Sequence, residues 1–71
     1  MTLAQGALGT DYRITGINTN DEELDSFLFR LGCYSGEPIT IISTVSDSYV
    51  IAIRDGRYNI DKNLADAILV E

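Results

Sequence analysis

The chain has 71 residues, 45% of them apolar, and carries five basic side chains against eleven acidic ones for a net charge of −6. That length holds one small domain, 1–71, and leaves too little core for a second. The acidic balance disfavours nucleic acid and anionic lipid, whose recognition rests on Lys and Arg. One cysteine and no histidine leave neither an internal disulfide nor a clustered Cys/His metal site.

No apolar run is long enough to span a bilayer, and the opening MTLAQGALGTDYR lacks the basic start and apolar middle of a signal peptide, so a reducing cytoplasm is the expected compartment. Met1 to Gly9 reads as a short lead-in. Thr10 to Asn18 alternates as a first strand, with Tyr12 and Ile14 on one face, until Gly16 shifts the phase and turns Ile17 inward, the mark of a bulge.

The stretch NDEELDSFLFRLGCYSGEP, Asn20 to Pro38, organises the chain as a helix, a glycine stop and a turn. Asn20 is placed to cap the first turn, with Glu23 reaching back as in a capping box. Leu24, Phe27, Leu28 and Leu31 fall at i, i+3, i+4 and i+7 and define the face expected to be buried. Acids in the first turn and Arg30 in the last complement the helix dipole. Gly32 is placed to stop the helix in the left-handed conformation, with Cys33 packing back on Leu28 in a Schellman-type closure.

Tyr34 to Glu37, with Gly36, reads as a turn, and Pro38 opens a strand from about Ile39 to Ser46 with one buried and one half-covered face. Asp47-Ser48 is a turn. Tyr49 to Arg54 is the strongest strand-forming segment and is expected to be central. Asp55-Gly56 signals a hairpin in which both residues take positive φ. Arg57 to Ile60 is the returning strand, Asp61 caps a short helical turn over Lys62 to Asp66, and Ala67 to Glu71 closes the fold. Five short strands and one helix inserted after the first imply a mainly β architecture, a small closed or nearly closed sheet of the SH3-like barrel kind, since closure removes exposed edges.

No catalytic apparatus emerges. Cys33 has no histidine to activate it, and Asp21, Glu22, Glu23 and Asp25 fan around a helix and cannot converge on one ion. Gly6 and Gly9 precede a strand, not the helix N-terminus that cradles phosphate. The tyrosines Tyr12, Tyr34, Tyr49 and Tyr58 either pack ordinarily on strands or line a groove for an extended peptide. Phe29 lies off the apolar stripe and is either a contact residue or covered by a loop. From the residues alone, this is a small acidic binding module.

Two segments carry a family resemblance. Leu28-Phe29-Arg30-Leu31-Gly32-Cys33-Tyr34-Ser35-Gly36-Glu37 is similar to a Leu-rich helix, Leu-Gly, a short variable stretch, Gly and a strand, and Ile51-Ala52-Ile53-Arg54-Asp55-Gly56-Arg57-Tyr58-Asn59-Ile60 with Ala65 to Glu71 is similar to strand-Arg-Gly-aromatic-strand and a final Ala-x-x-Ile-x-Val. With Thr2-Leu3 and Gly9, they resemble the ferrous iron transport protein A (FeoA) family over nearly the whole chain. Two departures from that pattern stand out: Ser35 stands where many members have proline, and Cys33-Tyr34 replaces a commoner aliphatic pair.

The resemblance implies an SH3-like module, without cofactor or catalysis, that binds the cytoplasmic GTPase part of the ferrous iron permease FeoB at the inner face of the membrane. The expected contact is Phe29, Cys33 and Tyr34, on a frame set by the turn glycines Gly32, Gly36 and Gly56. A homo-oligomer is a further option. The alternative is a stand-alone metal-sensing domain related to the C-terminal barrels of iron-dependent repressors, using surface carboxylates such as Glu22, Asp25 or Glu37. A net negative charge and the lack of a DNA-reading helix speak against a repressor.

Overall fold

The computed structural model describes all residues, Met1–Glu71. A single 3₁₀ turn at Leu3–Gln5 leads into strand β1 (Asp11–Ile17), helix α1 (Glu22–Leu31), strands β2 (Pro38–Val45), β3 (Ser48–Ile53) and β4 (Gly56–Asp61), a short helix α2 (Lys62–Ala67) and strand β5 (Ile68–Val70). All strand pairs are antiparallel and the sheet order is β4-β3-β2-β1-β5. β3 therefore has a neighbour on each side, as a strand so rich in Val and Ile should, but the middle position belongs to β2.

β1 serves two partners. Its first half, Asp11 to Arg13, pairs with β2, and its second half, Ile14 to Ile17, pairs with β5, with a register shift between Ile14 and Gly16. The bulge expected at Gly16 is there, and it bends β1 so that one strand spans two walls of the barrel. A second register shift, between Ile41 and Ser43 of β2, explains that strand's imperfect alternation: Ile39 and Ile41 are buried, whereas Ile42 turns outward. α2 bridges the gap between β4 and β5, capped by the Asp61 carboxylate, which accepts from the Leu64 N–H at 2.9 Å. The final strand accordingly starts at Ile68, Ala67 being the last residue of α2.

Seven isoleucines dominate the core, all but one of them on strands β1 to β4, joined by Leu3, Leu28, Cys33 and Val70 among others. β-branched side chains with one favoured rotamer suit a pleated, half-buried surface, so a barrel this small fills its interior with little loss of side-chain freedom.

Three local expectations need correction. Helix α1 starts at Glu22 and its cap is Asp21, whose carboxylate accepts from the N–H groups of Glu23 and Leu24 at 2.9 and 3.3 Å; the Asn20–Glu23 capping box does not form. A charged acceptor gains more than a neutral amide at the positive end of the helix dipole. Phe27, expected on the buried stripe, is 40% exposed: α1 leans on the core through Leu28, with Leu24 and Leu31 half-buried, so Phe27 is left at the outer margin of the face.

Both hairpin loops sit one residue earlier than expected, at Ser46-Asp47 and Arg54-Asp55, because the ladder runs on through the Val45–Ser48 and Ile53–Gly56 pairs. The positive φ values fall on Ser46 (56°) and Arg54 (53°), and neither Asp55 nor Gly56 has one. What Gly56 supplies is space, since a β-carbon there would lie 2.5 Å from Tyr58 Oη.

Candidate functional site

The C-terminus of α1 is closed by backbone geometry. Gly32 takes φ +103°, its N–H donates to Phe29 O at 3.0 Å, and the Cys33 N–H donates to Leu28 O at 2.9 Å. This is the Schellman pair of hydrogen bonds, and it turns the chain so that Cys33 enters the core while Tyr34 does not. The following turn is stitched to β1: Gly36, at φ +95°, donates its N–H to Ile14 O at 2.8 Å, and Ile14 donates back to Glu37 O at 2.9 Å. Arg13 Nη1 also donates to Gly36 O at 2.6 Å.

On this frame four side chains from three elements form a row. The Phe29 and Tyr34 rings are tilted by 37° with centroids 5.0 Å apart. The Arg54 guanidinium, from the β3–β4 loop, lies 5.8 Å from the Tyr34 ring centroid, and Arg54 Nη1 donates to Tyr34 Oη and to Glu37 Oε1, the latter at 2.9 Å. The aromatic pair prefers such an offset, tilted arrangement, and the guanidinium adds attraction to the ring. Arg54 thus fixes Tyr34, and Tyr34 in turn supports Phe29, which is 62% exposed. A large apolar ring held in place at the surface offers contact area at low ordering cost to a partner.

Cys33 does not belong to this surface. It is 1% exposed, a correction to its expected place beside Phe29 and Tyr34, and follows from the Schellman turn, which places the residue after Gly32 against the core. Burial pushes its thiol up to about 11, so it stays a protonated, inert group. Arg54 and Glu37 are the members of the row that the sequence does not assign to it. They are 17 residues apart, and the only hint is an arginine ending an otherwise apolar strand.

The carboxylates proposed for a metal do not gather. Glu22 and Asp25 are exposed on the opening turns of α1, while Glu37 is engaged with Arg54 beyond the far end of that helix. Nowhere do three or more His, Cys, Asp or Glu side chains converge as metal ligands would. No helix is long and apolar enough to cross a membrane.

The fold has known relatives. The chain superposes on a zinc-complexed FeoA from Stenotrophomonas maltophilia, described as a prokaryotic SH3 domain protein and a candidate ferrous iron transport activating factor, with TM-score 0.89 at 17% identity, covering 100% of this chain and 89% of that one. The solution structure of iron(II) transport protein A from Clostridium thermocellum matches with TM-score 0.91 at 30% identity, over 100% of this chain and 44% of that one. A manganese-dependent transcriptional repressor matches with TM-score 0.89 at 15% identity, over 99% of this chain and 40% of that one, which shows a shared SH3-like fold and nothing further. A search of the curated proteins finds no match. The family model for the FeoA domain matches residues 1–71, and the chain belongs to that family.

Proposed function

We propose that this chain is a cytoplasmic accessory module of ferrous iron uptake that docks onto the cytoplasmic GTPase part of a FeoB-type permease, with Phe29 and Tyr34 at the centre of the contact. One observation carries the site: an exposed phenylalanine packs on a tyrosine whose hydroxyl accepts from Arg54, and Arg54 is in turn held by the Glu37 carboxylate. Such a ring costs a folded monomer apolar exposure without contributing to its core, and rigid aromatic and arginine side chains are the groups that dominate binding energies at interfaces.

Membership of the FeoA family supports the setting in iron transport. The net charge of −6 would steer the module toward a basic patch on its partner. A binding role is supported by the exposed, braced aromatic pair of Phe29 and Tyr34.

The test is a calorimetric titration of this chain against the isolated GTPase domain of the permease from the same source, with and without GTP. Saturable one-to-one binding that weakens about tenfold or more on Phe29→Ala, with an unchanged circular dichroism spectrum, is the expected result. Binding that ignores both Phe29→Ala and Tyr34→Ala would remove the site assignment, and no binding in any nucleotide state would remove the partner.

A further inference from the structure

The sheet has two edges, and they are finished differently. On the β5 side the edge is covered, because Thr2 bridges Leu69 and the Val70 N–H donates to Met1 O at 2.8 Å. β4 pairs with β3 on one side and with no strand on the other. It contains neither a proline nor a bulge, two of the usual devices that keep an edge from pairing.

Its residues alternate cleanly. Tyr58 and Ile60 turn inward, while Arg57, Asn59 and Asp61 are exposed. Ile53 and Gly56 flank the two-residue loop as the hydrogen-bonded pair that closes it. The alternation of an antiparallel ladder then turns the backbone groups of Arg57 and Asn59, and the Asp61 N–H, away from β3. No turn or loop backbone bond takes up the N–H groups of these three residues.

We propose that β4 is a self-association edge: it pairs antiparallel with β4 of a second copy about a two-fold axis passing by Asn59. Charge selects this occupant and this register. Centred on Asn59, the pairing sets Arg57 opposite Asp61 of the second copy, and symmetry repeats that pair, so two oppositely charged cross-strand pairs flank a central Asn59 pair. Centring on Tyr58 would oppose Asp61 to Asp55 of the copy, and centring on Arg57 would set that residue against itself; like charges directly opposite one another are destabilising. The Asp61 carboxylate keeps its bond to the Leu64 N–H through Oδ1, leaving Oδ2 for the arginine. Because each copy carries −6, the association is weak and depends on this local complementarity. It uses neither Phe29 nor Tyr34, so it stands or falls independently of docking to a permease.

The test is sedimentation velocity on the full chain from micromolar to millimolar concentration, with amide NMR spectra along the same series. The expected result is a reversible monomer–dimer equilibrium, with concentration-dependent shifts strongest at the amides of Arg57, Asn59 and Asp61. Arg57→Asp, which turns both attractive pairs repulsive at an exposed position, should raise the dissociation constant about tenfold or more while leaving the melting curve in place. Asn59→Pro, which removes the central outward N–H, should abolish dimerisation, with circular dichroism as its folding control. A chain that stays monomeric throughout, a dimer indifferent to Arg57→Asp, or a dimer dispersed by Phe29→Ala would each overturn the proposal.

Discussion

Arg54 lies so closely across Gly32 that a β-carbon on the glycine would sit 2.8 Å from Arg54 Cδ. The end of α1 and the β3–β4 loop are therefore in direct contact, and the guanidinium reaches Tyr34 and Glu37 only because nothing stands at position 32 to lift it away. One glycine thus serves two purposes, a left-handed helix stop at φ +103° and a floor for an arginine.

These two purposes can be separated. Gly32→Ala is expected to lower unfolding free energy by roughly 1–3 kcal/mol in urea titrations, part from positive φ and part from the Arg54 overlap. In an Arg54→Ala background the overlap is gone, and the same substitution should cost less. A double-mutant cycle with no coupling would show that Arg54 gives way freely.

Leu28 and Phe27 are adjacent, both apolar, and differ in what they contribute. Leu28→Ala removes a fully buried side chain and should cost about 2–5 kcal/mol, enough to unfold much of so small a domain. Phe27→Ala, at a 40% exposed position, should cost well under half of that. Equal losses in urea titrations would mean that α1 packs through a broader face than Leu28 alone.

Cys33 should make stability fall at alkaline pH. In the unfolded chain its thiol ionises around the ordinary value of 9.0, whereas in the folded chain it holds its proton up to about 11. Above the lower value the unfolded state has lost a proton that the native state keeps, so stability is complete below about 9 and declines as pH rises toward 11. Melting curves across that range should show a steeper decline for the parent chain than for Cys33→Ala. Parallel declines would assign the effect to other groups. The native thiol should also resist alkylation until denaturant is added.

Ser46 occupies the left-handed region at φ 56° in an exposed two-residue loop. Ser46→Asn, which substitutes a residue that tolerates this region, should raise stability by about 0.5 kcal/mol and the melting temperature by a few degrees. A drop in melting temperature would show that the loop depends on the serine hydroxyl.

The features legible in the sequence are those fixed by neighbours in the chain. The glycine stop after Leu31, the phase shift at Gly16, Pro38 at a strand start and the Asp61 cap each depend on a few consecutive residues, and each is present in the fold. Boundaries decided by competition were harder to read. Asn20 and Asp21 are both good caps, and the carboxylate prevails by charge. In both hairpins the loop falls one residue before the local turn signal, because the register is set by pairing along the whole strand and not by the Asp-Ser or Asp-Gly dipeptide.

The candidate site divides in the same way. Phe29 stands out because it leaves the periodic stripe, and Tyr34 because it follows the stop. The arginine–carboxylate clasp holding them joins residues 17 apart and exists only once the barrel has formed, so no local pattern announces it. Cys33 divides in the same way: the packing onto Leu28 implied by the glycine stop holds, whereas the place in the contact surface does not, because one backbone turn carries the residue inward.

The division of β1 between two partners bears on the order in which the protein can be made. The run from β2 to β4 is a meander joined by two-residue loops, able to pair as soon as it leaves the ribosome. The second half of β1, Ile14 to Ile17, was synthesised long before but has no strand to join until Ile68–Val70 emerges. Until Ile68–Val70 has been made, then, the nascent chain holds an open strand end, and it is β5 that shuts it.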